Sequence, residues 1–257
     1  MKAITVVAIA CCGALALVLA QPRTTTTVVT TIAASSISVP CSTGDSTAAF
    51  NAALARAVSG TDKTVHLYGC TYHFDSAPDP ISHGIEILGQ GMNTTYLERD
   101  YSPGHGCVTG PCEFISTVDR GETIKDLAIF AAPGTHGGWG FHAISTDARK
   151  GNGVTLDNVY ISGYGTYTLP VFLDGQNSLQ APAGIRSVNF TNVKIFNGTW
   201  HGFECWNCIA MSWYGGGLWQ GFGTTQDAIV GGPLSTENVI SASLNGTVQY
   251  WRGSELH

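Results

Sequence analysis

The rhythm of apolar and polar positions changes along this chain, and the changes divide it. From Ala3 to Ala20 almost every position is apolar. Between Asp45 and Gly60, Phe50, Ala53, Leu54, Ala57 and Val58 recur at i, i+3, i+4, i+7 and i+8, the spacing of one helical face. Asp45 or Ser46 can cap the start of that helix, and Gly60 can end it. From Val65 onward the period is two. Val65-His-Leu-Tyr-Gly-Cys-Thr-Tyr-His-Phe74 predicts two short strands parted by Gly69, and Gly84-Ile-Glu-Ile-Leu-Gly-Gln-Gly91 predicts another running into a glycine-rich turn.

An internal repeat then organises the rest. Thr123-Ile-Lys-Asp-Leu-Ala-Ile129, Val154-Thr-Leu-Asp-Asn-Val-Tyr-Ile161 and Val188-Asn-Phe-Thr-Asn-Val-Lys-Ile195 align at spacings of 32 and 34 residues. Asp126, Asn158 and Asn192 then share one position, each followed by an aliphatic residue. Every copy leads on to a second strand: Phe141-His-Ala143, Val171-Phe-Leu173 and Phe203-Glu-Cys205. Ser235-Thr-Glu-Asn-Val-Ile240 reads as a further copy. Asn and Asp tolerate the left-handed conformation, so the shared position is a bend between parallel strands, and stacked copies can bond to one another. The predicted class is all-β, a right-handed parallel β-helix (a solenoid) with a short N-terminal capping α-helix over its open end.

The apolar start is a signal peptide in this reading. Lys2 provides the positive end, and Val18-Leu19-Ala20 provides a cleavage site before Gln21. Residues 1–20 are therefore the signal, 21–40 a Thr/Ser-rich arm, and 41–257 the parallel β-helix domain. A secreted, extracellular protein follows, with no membrane association after cleavage. Cys11 and Cys12 leave with the signal. Cys41, Cys70, Cys107, Cys112, Cys205 and Cys208 remain, and an even set in an oxidising compartment reads as disulfides. Spacing favours 41–70, 107–112 and 205–208. A four-cysteine zinc site and a thioredoxin-type Cys-Trp-Asn-Cys stand as rival readings of the last four.

Composition adds two exclusions. Charged residues are only 12% of the 257-residue chain while 44% is hydrophobic, a balance that suits short strands and tight turns better than helical bundles. A net charge of −6 without a basic stripe argues against nucleic acid as a partner.

Three segments carry a family likeness: the helix Asp45-Ser-Thr-Ala-Ala-Phe-Asn-Ala-Ala-Leu54, the strand Gly69-Cys-Thr-Tyr72, and Ile85-Glu-Ile-Leu-Gly-Gln-Gly-Met-Asn-Thr-Thr95. Together they resemble the pectate lyase superfamily, in the branch shared with polygalacturonase-type glycosidases and phage tailspikes. The resemblance spans residues 41 to 251 and implies the β-helix fold. It speaks little to chemistry, because this scaffold serves several activities. The polygalacturonase-type motif set is absent, and Gly104-His-Gly106 stands without an aspartate pair before it. A lyase would need acidic residues for calcium beside an Arg or Lys base. Arg186 and Lys194 stand in the repeat region without such a cluster.

Candidate chemistry comes from the second-strand column. With Phe141, Val171 and Phe203 inward, His142, Phe172 and Glu204 point outward on successive strands, and Asp174 and Trp206 share the next outward position. Loops add His136, Trp139, Tyr164, Tyr167, Trp200 and His201. Rings beside carboxylates suit sugars, whose apolar faces stack on aromatics while carboxylates bond hydroxyls or move protons. The expected catalytic set is Asp174, Glu204, His142 and His201; the expected substrate-binding set is Trp139, Tyr167, Trp206 and Arg186. Asp174 and Glu204 would lie ~4.8 Å apart across the sheet and ~6.6 Å along it. Their Cα atoms would then be about 8 Å apart, leaving room for a water between the carboxyls, as in an inverting glycosidase. Two functions are expected: a carbohydrate-active enzyme (glycoside hydrolase or polysaccharide lyase) on an extracellular polysaccharide, or a non-catalytic β-helix adhesin, wall-binding or spike protein. No metal or other cofactor is expected, with calcium entering only for a lyase. Asn93, Asn189, Asn197 and Asn245 are acceptor sequences for N-glycans.

Overall fold

Asp126, Asn158 and Asn192 have left-handed backbones, with φ of 56°, 55° and 49°. In the computed structural model of the protein they stack on one another. Asn158 Nδ2 donates to Asp126 Oδ1 at 2.6 Å, and Asn192 Nδ2 donates to Asn158 Oδ1 at 2.8 Å. The structure describes residues 36–102, 113–118, 121–144, 153–162, 169–174, 185–196, 202–206, 208–219, 229–231, 240–243 and 251–252. The chain divides into two units, Met1–Thr31 and Ile32–His257, and every described residue belongs to the second. The signal segment and residues 21–35 therefore lie outside the described residues, as do Cys107 and Cys112.

The N-terminal elements are β1 (Ile37–Val39), α1 (Thr47–Ser59), β2 (Thr64–Leu67), β3 (Thr71–Phe74), β4 (Ile81–Ser82), β5 (Glu86–Leu88) and β6 (Tyr96–Arg99). Longer strands follow: β7 (Glu113–Val118), β8 (Glu122–Ala131), β9 (Trp139–Ile144), β10 (Val154–Ser162), β11 (Leu169–Asp174) and β12 (Ile185–Phe196). The last are β13 (Phe203–Trp206), β14 (Cys208–Trp219), β15 (Ile229–Gly231), β16 (Ile240–Ser243) and β17 (Trp251–Arg252). Among the described residues, a ten-stranded sheet runs β1-β2-β5-β8-β10-β12-β14-β16, with β3 and β6 joined at its side. A seven-stranded sheet runs β4-β7-β9-β11-β13-β15-β17. The strand pairs are parallel, and from β7 onward the chain passes alternately from one sheet to the other.

The left-handed column explains this register. A bend at each Asn or Asp turns the strand while keeping its two halves in the same sheet, so each copy lands on its predecessor. Glycines end the column at both sides. Gly89 follows Leu88, the partner of Lys125, and a Cβ there would stand 2.2 Å from the Asp126 carbonyl oxygen. Gly215 follows Tyr214, the partner of Thr191, and keeps a left-handed backbone with φ of 68°. Stacked registers then build the core from like residues. Val65, Ile87, Ile124, Leu156, Phe190 and Trp213 face inward on neighbouring strands, and each such side chain fully buried contributes about 1.5–3 kcal/mol. Phe141, Val171, Leu173 and Phe203 enter the same core from the other sheet.

Of the two expected caps, Ser46 takes the N-cap position and the helix begins at Thr47. Ser46 makes no side-chain cap bond; Asp45 Oδ1 accepts the Thr47 N–H at 2.9 Å instead. That bond and a second from the Thr47 hydroxyl hold the Asp45 carboxyl below its ordinary range. Phe50, Ala53, Leu54 and Ala57 are buried, with the Phe50 ring edge-on to Phe74 at 5.5 Å. Val58 does not join the stripe and is 39% exposed. Gly60 ends the helix in extended rather than left-handed backbone.

Cys41 and Cys70 are bridged as expected, and Cys205 is also disulfide-bonded. The sheet starts ahead of Cys41, at Ile37, where Tyr72 Oη donates to the Val39 carbonyl at 3.0 Å. Burial pushes that phenol up to about 12. The proposed further copy at Ser235–Ile240 is out of step: Ile240 begins β16 opposite Met211, which faces Val188, the first residue of its copy.

The ladder makes a stability prediction. Asn158→Gly keeps the backbone conformation and loses only the two amide bonds, about 1–3 kcal/mol. Asn158→Val loses them and forces a β-branched residue into the left-handed region, adding roughly 1–2 kcal/mol. Urea unfolding should rank the parent above the glycine variant and the glycine variant above valine.

Candidate functional site

The site grows from the seven-stranded sheet. Four of its strands, β7, β9, β11 and β13, place Ser116, His142, Phe172 and Glu204 in one row and Val118, Ile144, Asp174 and Trp206 in the next. The ungapped pairing of the second strands is as expected: Phe172 faces Glu204, and Asp174 faces Trp206. Asp174 and Glu204 thus sit on adjacent strands, offset by two residues.

The row is not the open surface expected of it. His142, Phe172 and Glu204 alternate with the inward Phe141, Val171 and Phe203 and stay outside the core cluster, yet each is only 5% exposed. The strands of this sheet are buried on both faces here. Access is left to the flanking groups, because the Glu113 and Asp174 side chains retain 20% and 21% exposure and Trp139 is half-buried.

His142 is the centre. Its ring stacks on Phe172 at 5.0 Å with 5° between the planes, and Trp139 meets both rings edge-on at 4.5 and 4.9 Å. Nδ1 lies 3.9 Å from Glu113 Oε2, and Nε2 lies 3.8 Å from Asp174 Oδ2. Those are ion-pair distances, and neither ring nitrogen makes a hydrogen bond. Burial works against the imidazolium, but the two carboxylates outweigh it and hold His142 above its ordinary value. A protonated imidazole stacked on a ring also gains a cation–π contribution.

Glu113 was not foreseen. It opens β7, a strand with no copy of the Asn/Asp repeat, and is aligned with Trp139. Extending the second-strand column back from Phe141-His-Ala143 to Ile115-Ser-Thr117 would have exposed it. The Tyr101 hydroxyl donates to the Glu113 carbonyl at 3.2 Å, and the buried Arg99 guanidinium stands 5.5 Å from the Tyr101 ring. Burial raises the Tyr101 phenol, with Arg99 opposing the shift and Glu113 adding to it.

Arg186 does not join the group: it stands on β12, in the other sheet. Trp206 takes the expected place beside Asp174 in register, and its side chain lies outside the described residues. His201, Tyr167, Tyr164 and Trp200 lie outside them altogether. His136 is exposed and its N–H donates to Ser102 Oγ at 3.0 Å. Among the described residues, no helix is long and apolar enough to cross a membrane.

The charge arrangement sets a pH dependence. A folded-state value above the unfolded one means that His142 contributes stability fully below about pH 6.5, and loses it as pH rises through the raised value. Urea midpoints of the parent should therefore fall as pH rises above 6.5, and His142→Phe should flatten that slope. An unchanged slope would show that the imidazole is not held charged between Glu113 and Asp174.

With the geometry in place, the chain was compared with models of known families, with curated proteins and with solved structures, and none matches it.

Proposed function

We propose that the protein is a secreted carbohydrate-active protein, built as a right-handed parallel β-helix of the pectate lyase kind, that hydrolyses an extracellular polysaccharide. The observation that carries this reading is the convergence of Glu113 and Asp174 on His142, beside Trp139 and Phe172. Carboxyl groups flanking aromatic rings are what glycosidic cleavage requires: one protonates the leaving oxygen and another activates water. The alternation of the chain between two parallel sheets, with αL bends stacked in a column, supports the β-helix reading. The Cys41–Cys70 bridge fits an oxidising compartment and an exported chain.

Hydrolysis is preferred to elimination. The groups gathered on His142 are carboxylates, which suit proton transfer to and from a glycosidic oxygen and water. Asp174 and Glu113, the two carboxylates beside His142 that keep access to solvent, take the acid and base roles. His142 is a positioning residue that holds the Asp174 carboxylate by charge from its buried side, and Trp139 offers its half-buried ring to the sugar face.

A polysaccharide panel read for both new reducing ends and unsaturated uronides tests this. Reducing ends alone are expected. Asp174→Asn and Glu113→Gln should each lower turnover by at least about a hundredfold, with Asp174→Asn close to the parent in melting temperature. Unsaturated product would assign a lyase. Binding without turnover would assign the non-catalytic adhesin or wall-binding role, which the burial of His142 and Glu204 favours.

A further inference from the structure

A second cluster lies at the N-terminal strands, away from the seven-stranded sheet. His73 on β3 is paired in register with Glu98 on β6, and Asp100 follows two residues beyond. His73 Nδ1 stands 2.9 Å from Asp100 Oδ2 and 3.7 Å from Glu98 Oε1, and one ligand atom from each of the three falls within 4.8 Å of the others. All three side chains are half-buried.

We propose that His73, Glu98 and Asp100 bind a single divalent transition-metal ion, of which Zn2+ is the representative. The geometry is that of a coordination edge. Donors held ~2.0–2.2 Å from one ion stand roughly 3.0–3.5 Å apart, so the two contacts of His73 need to change by only a few tenths of an ångström, and the carboxylates, all within 4.8 Å, close on the ion by side-chain rotation. The donor set selects the class of ion: calcium and magnesium take oxygen ligands, whereas an imidazole beside carboxylates suits zinc and its neighbours. The electrostatics are consistent with an ion between the carboxyls. Glu98 is held above its ordinary value, first by burial and then by the adjacent Asp100 charge, with His73 only partly offsetting them. A dication between the carboxyls would remove that repulsion.

Such an ion would act on the fold rather than on substrate. It would tie β3 to β6, and the His73 carbonyl already accepts the Ser46 N–H at 2.6 Å where α1 begins. The Cys41–Cys70 bridge enters just ahead of β3. Disulfide and metal would then pin the same stretch of chain by independent chemistry.

The test uses full-length tag-free protein, stripped with chelator and titrated with Zn2+ in a calorimeter. One equivalent is expected to bind at pH 7.5, with binding lost as pH falls through the imidazole range. At a hundredfold excess over Kd the melting temperature should rise by about 5–10 °C. His73→Ala and Glu98→Gln, each checked for a native circular dichroism spectrum, should abolish both effects. Co2+ should give visible absorption bands in the parent and not in the variants, which covers the case where one variant fails to fold. Absence of binding to the parent, or parent-like binding in either folded variant, would overturn the proposal.

Discussion

Everything else in this molecule depends on a bend that only a few residue types tolerate. At Asp126, Asn158 and Asn192 the chain takes a left-handed turn inside a strand, and the side chain that permits the turn also bonds to its counterpart in the next copy. Conformational tolerance and lateral bonding come from the same carboxamide. That coupling aligns the strands in one sheet, and alignment in one sheet limits where the returning strands of the other can lie. The rows of the second sheet inherit their register from it, including the row that gathers His142, Phe172 and Glu204.

The candidate site inverts the usual order of a parallel sheet, whose buried faces are apolar. Here one face of β9, β11 and β13 buries polar groups, and it does so with charges that answer one another. Desolvation alone would drive His142 neutral; Glu113 and Asp174 on either side reverse that outcome. Aromatic walls serve two ends at once, since Phe172 and Trp139 both exclude water from the ion pairs and present ring faces and edges. Such an arrangement positions a half-exposed carboxylate without lending it a mobile partner.

Much of the fold was legible because it is periodic. The helix, the paired short strands before Gly91 and the Asn/Asp column all follow from spacing, and the aligned second strands gave the Phe172–Glu204 register without a gap. What escaped was whatever broke the period. Glu113 lies on a strand whose copy lacks the Asn/Asp mark, and Arg186, assigned to the site by residue type alone, turned out to belong to the opposite sheet. Burial of the outward row was invisible because alternation tells which side a residue faces and nothing about what covers that side. Glu98 and Asp100 escaped for a third reason: their partner His73 is 25 and 27 residues away, on a strand whose pairing no repeat announced.

The column has a sense of direction. Each Asn gives its amide hydrogen toward the N-terminal neighbour, Asn158 also takes one from Asn192, and the carboxylate of Asp126 can only receive. Asp126 is therefore a terminator for one end of the stack. A duplicated copy bearing Asn could be spliced between Asn158 and Asn192 and would find an acceptor on one side and a donor on the other. A duplicated copy bearing Asp, placed in the same position, would break the relay by setting a group without hydrogens where one must be given. The direction of the relay thus admits Asn within the column and Asp only at its N-terminal end.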